Sequence, residues 1–395
     1  MTKAIEEVYS SLKGQFRGDL IRPGDDDYET ARGIWNGMVA HRPGLIARCA
    51  EVPDIQSAVS AASTIGVVTA VRCGGHSLAG FGSCADGLVI DLSRMRQVTV
   101  DRDARRARFA GGCLLGSVDV ATQKYGLVFP AGVVSHTGAS GLILGGGFGW
   151  LTRRFGLSCD HVEGLTLVTA DGSVVHASSK DNADLFWALR GGGGNFGVVT
   201  EFEVKLHPLK SVVLGESLYL GDDIPRLLRH WRDFMPQAPD DLKWNLSLRL
   251  ALNSENVPGR VRERPVLSQS VLWTGDPKES RRCLDHALSI CKPIEVTRRV
   301  LSFLALQTMA DAEFPHGRRY YTKSGYFKSL DDSSIDHMVE ALASIPSPMT
   351  QIELAYLGGA AARVGAAETA FGDRGSPFVV NVLGNWSDAS EDAAN

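Results

Sequence analysis

Polar and apolar positions along this chain follow two periods, and the way the periods alternate changes near residue 210. After Arg42, the run GLIARCAE reads as a strand. A helix follows, with Pro53 in its first turn, Ile55, Val59 and Ala62 on one face, and Gly66 as its stop. The strand Val67 to Arg72 completes a small βαβ unit that ends on Gly74-Gly75-His76. Short β-rich runs come next (LVIDLSRM, QVTVDRD, RRARFAGG), then a helix around Leu114 to Lys124 closed by Gly126. Two apolar runs flanking Asp171-Gly172 predict a hairpin. A helix from Asn182 to Arg190 then runs into four consecutive glycines, and a strand resumes from Val198 to Leu206.

Beyond His207-Pro208 the glycine clusters largely stop. Long alternating runs (LKWNLSLRLAL, RPVLSQSVLWTG, RRYYTKSGYF, TQIELAYLGG, PFVVNVLGNW) now interleave with amphipathic stretches near 222–235, 277–290 and 332–344. This pattern predicts one larger sheet with helices on a single face, an α+β domain, and a boundary near residue 210. Ser387 or Asp388 with Glu391 predicts a short helix start close to the last residue, so the C-terminus reads as abbreviated.

At 395 residues the chain can form two or three domains, and its 44% hydrophobic and 22% charged fractions are those of a globular protein. A net charge of −4 argues against a nucleic-acid or anionic-membrane partner, and no stretch reaches the roughly 18 apolar residues of a membrane span. The first residues do not resemble a signal peptide. Seven cysteines without CxxC spacing suggest neither a disulfide framework nor a metal site, and point to the cytoplasm. Nothing in the sequence indicates an oligomeric state.

The excess residue is glycine, 43 in all, and it is clustered. A strand that opens into bare amides at Gly74 and Gly75 forms an anion-binding nest, with His76 beside it. Gly192 to Gly197 satisfies the GxGxxG spacing of a dinucleotide fingerprint, but it follows a helix and opens a strand, the reverse of the nicotinamide-binding arrangement. The run Gly145-Gly146-Gly147-Phe148-Gly149 misses the third spacing. Several backbone approaches to one large dianionic cofactor fit a flavin dinucleotide better than a nicotinamide one.

RCGGHS at 72–77, AGVVSHTGASGLILGGGFGWLTRRFGL at 131–157 and DLFWALRGGGGNFGVVTEF at 184–202 closely resemble the vanillyl-alcohol oxidase type of FAD-linked oxidases, nearest the berberine-bridge and bacterial 6-hydroxy-D-nicotine oxidase branch. The resemblance implies a PCMH-type FAD-binding domain of two α+β subdomains over 42–210, after an N-terminal helical segment at 1–41. A second α+β substrate domain on an antiparallel sheet is implied over 211–395. It implies FAD bonded covalently through His76 by a single link, since Val134 stands where doubly linked relatives carry cysteine. Arg72, Gly74, Gly75 and Ser77 are implied around the pyrophosphate, and Gly132, Val133, Gly138 and Gly141 along the flavin. Asn195, Gly197 and Val199 complete that pocket, with a backbone contact from Val168 to adenine. The small Ala139 matches the position that governs oxygen access, and Asp160-His161 departs from the family's Asp-Asn.

Removing a hydride from carbon needs a group to take the O–H or N–H proton. By the resemblance Glu353 is that candidate base, and alternation puts Gln351, Glu353 and Ala355 on one strand face. Tyr321 and Lys323 share a face of their own strand and are further catalytic candidates, with Tyr326, Trp273 and Asn381 behind them. The implied activity is oxidation of a small alcohol or amine, with molecular oxygen reduced to hydrogen peroxide. A dehydrogenase using another acceptor, or a flavoprotein that only sequesters a metabolite, are the alternatives. The closing segment usual in this family is absent, so a C-terminal return to the flavin site is expected to be missing.

Overall fold

Pro53 at the start of helix Val52–Ile65 supplies a residue that has no N–H to leave unpaired, and Gly66 ends the helix in the left-handed region at φ 78°. The helix packs Ile55, Ala58 and Ala62 against Leu45, Leu88 and Ile90. The structure is a computed structural model that describes residues 2–253 and 257–395. Strands Leu45–Arg48 and Thr69–Arg72 both run parallel to Leu88–Asp91, which lies between them. The βαβ unit is therefore present with a third strand inserted.

The N-terminal segment is more than helical. After helix Lys3–Leu12, strand Asp19–Ile21 pairs antiparallel with Leu45–Arg48 and becomes the edge of the same sheet. The buried Asp54 carboxylate accepts from the amides of Arg17, Gly18 and Ala50, which ties this segment to the helix start. A three-residue strand carries too little alternation to be read from sequence.

Among the described residues a second sheet has five antiparallel strands, in the order Val98–Asp101, Arg106–Ala110, Val198–Lys205, Val162–Val168 and Val174–Ser178. The hairpin about Asp171-Gly172 is as expected.

The third sheet has seven antiparallel strands among the described residues. Their order is Glu295–Ser302, Ser211–Tyr219, Pro265–Trp273, Leu242–Leu250, Gln351–Tyr356, Phe378–Trp386 and Arg319–Phe327. Helices Asp223–Phe234, Ser280–Leu288 and Asp332–Leu342 cover one face, with Leu227, Trp231, Leu284 and Ile335 packed on Trp244, Leu246 and Leu354. The other face turns to the glycine-rich half, where Leu214 and Leu272 meet Val128 and Leu151, and Ala355 and Val379 meet Phe148.

Two of these strands were not expected. Ser211–Tyr219 is covered on both faces, so its alternation is blurred. Glu295–Ser302 is an exposed edge with polar residues on both sides.

Candidate functional site

Strand Thr69–Arg72 delivers the chain into a turn that only glycine permits. A Cβ on Gly74 would lie 2.4 Å from the Gly138 nitrogen, and one on Gly138 would lie 2.3 Å from the Gly74 nitrogen. The two loops thus meet backbone to backbone. Gly75 sits at φ +67°, and its carbonyl accepts from the Trp35 amide at 3.0 Å. Cys73 points inward and donates its thiol to the Cys113 carbonyl, a packing role. Ser77 Oγ accepts from the Phe81 amide, leaving Leu78 and Phe81 exposed on the rim of the turn. Arg72 is buried and gives Nη2 to Asp91 at 2.7 Å, while its Nη1 is buried without a partner.

The sequence marked His76 alone, but the structure surrounds its ring. Trp35 stacks on it at 4.6 Å between centroids, and Tyr320 stacks on the far side of Trp35 at 3.7 Å. His76 Nε2 lies 2.6 Å from His136 Nδ1, and His316 meets the ring edge-on at 5.5 Å. Burial, then the neighbouring His136 and His316, pull the His76 pKa down to about 3, so the imidazole is neutral and keeps a lone pair at physiological pH. Ser135 anchors this corner by donating its amide and hydroxyl to Asp311, at 2.8 and 2.6 Å.

The remaining predicted cofactor residues fall into two groups. The Gly132 carbonyl accepts from Gln307 Nε2, Val133 is half-buried beside it, and Gly138 caps helix Ala139–Leu144. Gly141, on that helix, has nothing within 4 Å of a Cβ, and the same holds for Gly193. Asn195 is exposed nearby, and Gly197, at φ +151°, presses against the Val168 carbonyl. The side chains of Val168 and Val199 are fully committed to the core on paired strands, which leaves only backbone for a ligand.

A nest at Gly74–Ser77, open space at Gly141 and Gly193, an apolar rim at Leu78, Phe81 and Phe196, and buried unpaired nitrogens on Arg72 and Trp150 together fit a large planar dinucleotide. The odd His161 lies away from this turn. It pairs with His207 at 3.0 Å, in a contact with no counterpart in the sequence reading.

Pairing of the large sheet decides which catalytic candidates meet. Ser247, Glu353, Asn381 and Ser324 are directly opposite one another across four strands, on the face turned to the glycine-rich half. Asn381 Nδ2 donates to Glu353 Oε2 at 3.3 Å, and Tyr320 and Tyr326 fall on this face too.

Tyr321 and Lys323 share a face as expected, with Lys323 Nζ 5.3 Å from the Tyr321 ring, but it is the opposite one. Lys323 pairs with Val382 and Val382 with Ile352, which is on the helix side. Both are therefore separated from Glu353 by the sheet itself. Trp273 is also buried on the helix side.

Sequence reasoning missed Lys243, which is buried and donates to the Gly149 carbonyl at 2.6 Å. Burial lowers its pKa to about 8, with Glu353 pulling the other way. Its only signal was a lysine among alternating core positions. His136, His316 and Trp35 were missed as well, since they come from segments far apart in sequence.

The fold and this glycine-lined turn define an FAD-binding protein, and the FAD binding domain family matches residues 43–178. An FAD-linked oxidoreductase of Dictyostelium discoideum is 31% identical over 361 residues, covering 91% of this chain and 76% of that protein. (R)-6-hydroxynicotine oxidase of Paenarthrobacter nicotinovorans is 40% identical over 211 residues, 53% of this chain and 46% of the enzyme. The crystal structure of 6-hydroxy-D-nicotine oxidase from Arthrobacter nicotinovorans superposes with a TM-score of 0.83 at 27% identity, over 95% of this chain and 82% of that one. The chain belongs to the FAD-linked oxidoreductases and is an oxidoreductase. Among the described residues, no helix is long and apolar enough to cross a membrane.

Proposed function

We propose that this chain is an oxidase that binds FAD covalently through His76, takes a hydride from the carbon bearing the hydroxyl or amine of a small metabolite, and passes the electrons to oxygen to give hydrogen peroxide. The observation that carries this reading is the neutral, Trp35-stacked His76 at the mouth of the amide nest, on the side of the large sheet that bears Glu353. The bound FAD supplies the hydride acceptor. Gly74, Gly75 and Ser77 hold its pyrophosphate through backbone amides, with Arg72 as the buried positive charge beneath them. Gly132, Val133, Gly138, Gly141, Asn195 and Gly197 line its length.

Glu353 accepts the proton leaving the substrate hydroxyl or amine, and Asn381 orients that carboxylate. Lys243, fixed on the Gly149 carbonyl, stands close enough to feel the charge of that carboxylate. Tyr321 and Lys323, on the far face, have no part in this step. The division at about residue 210 fits these roles. The five-stranded sheet ends at Lys205, and the seven-stranded sheet begins at Ser211. The reading draws support from relatives named as oxidases, of 6-hydroxynicotine and of glucooligosaccharide.

Acid precipitation tests it directly. A yellow pellet yielding a flavin peptide that contains His76 is expected, and free FAD in the supernatant would remove the covalent assignment. Air reoxidation of the dithionite-reduced protein should be rapid, and slow reoxidation would replace oxygen with another acceptor.

A further inference from the structure

Three imidazoles from three separate segments converge at one point. His76 comes from the glycine turn, His136 from the loop before helix Ala139–Leu144, and His316 from the loop before strand Arg319–Phe327. One nitrogen of each lies within 4.8 Å of the other two. We propose that the flavin-free chain binds one divalent transition cation of the zinc, cobalt or copper class through His76, His136 and His316, stapling the glycine-rich half to the large sheet.

Zinc bound at ~2.0–2.1 Å by tetrahedral nitrogens sets them ~3.4 Å apart. The 2.6 Å separation of His76 and His136 must open by about an ångström, and His316, within 4.8 Å of both, has at most about 1.4 Å to close. His316 is exposed on its loop and can make that adjustment. The other two rings are already aimed. Trp35 stacks on His76, and Asp311 grips Ser135, the neighbour of His136. Three imidazoles leave the fourth position to water, and nitrogen ligands select borderline cations over magnesium or calcium. Spacing in the sequence could not reveal the site, because 60 residues separate the first two ligands and a further 180 the third.

The site shares His76 with the flavin reading, and one consequence rests on that reading: a cation there and a covalent flavin on His76 exclude each other. Metal would then hold back maturation of the chain.

Titrating the full flavin-free chain with cobalt(II) should give one equivalent with visible d–d bands, displaced by zinc. H136A and H316A should each weaken binding roughly tenfold or more. H286A, at the separate His230–His286 pair on the helix face, should leave it unchanged. No cobalt bands, or bands lost with H286A and kept with H316A, overturn the proposal and leave the flavin reading intact. Flavin-loaded protein should bind no cobalt there. If it binds through the same three residues, the metal site stands and the attachment of flavin to His76 falls.

Production in cells gives a readout that does not need folded apoprotein. Added zinc should lower the fraction of wild-type chain carrying acid-stable flavin, and should have no such effect on H316A, which alters an exposed side chain. An equal fraction with and without zinc in both chains overturns the proposal.

Discussion

Glu353 and Asn381 stand opposite each other on adjacent antiparallel strands, and the asparagine amide reaches the carboxylate at 3.3 Å on the sheet face turned to the flavin half. If Glu353 is the base, a carboxylate held this way would accept a proton without first having to find its orientation. E353Q should therefore lower kcat by roughly a hundredfold or more while flavin content stays at the wild-type level. N381A should cost less. Steady-state oxygen uptake with visible absorbance of the purified variants checks both, and an E353Q variant at full rate would remove Glu353 from the chemistry.

The opposite placement of Tyr321 and Lys323 makes a complementary prediction. Y321F and K323M, on the helix side of the sheet, should leave kcat/KM within about twofold of wild type. A larger loss in either, measured under the same conditions, would mean that the face assignment does not govern the chemistry.

Gly138 and Gly141 are three residues apart and meet different surroundings. A methyl at Gly138 runs into the Gly74 backbone, so G138A should destabilise the fold by about 1–3 kcal/mol and also lose flavin. A methyl at Gly141 meets nothing within 4 Å on this chain, and helix propensity favours it by about 0.5–1 kcal/mol. G141A should thus unfold no more easily without flavin, and a bulkier G141V should bind flavin more weakly if this space is the cofactor's. Thermal unfolding and flavin absorbance together separate the two.

His161 and His207 make stability depend on pH. Burial, the larger cause, pulls His161 down to about 4, opposed by Asp160 and assisted by Lys205. Burial, His161, Lys205, Arg154 and Arg105 pull His207 down to about 3. In the folded chain both stay neutral, while in the unfolded chain they gain protons below about 6.5. The unfolded state therefore binds more protons, and stability is complete above about 6.5 and falls as pH drops towards 4. Denaturation midpoints at pH 7.5 and pH 5 should show the loss, and H207F, which keeps the stack on Phe155, should reduce it.

The local backbone features of the site were legible before any fold was known. Gly74-Gly75-His76 after a strand is a local feature, and local backbone freedom is written in residue type. The same holds for helix Val52–Ile65 between Pro53 and Gly66, and for the strands around Glu353, whose alternation tied Glu353 to Gln351 and Tyr321 to Lys323. Alternation says only which residues share a face, because a strand read alone has no partner. The register Ser247–Glu353–Asn381–Ser324 is a property of four strands drawn from three distant segments, and it put Tyr321 and Lys323 behind the sheet. The meeting of His76 with His136 and His316, the burial of Lys243 against Gly149, and the docking of Trp35 between His76 and Tyr320 were decided the same way. Each needs the two halves packed together, and a contact between residues far apart along the chain leaves no period or spacing in either segment.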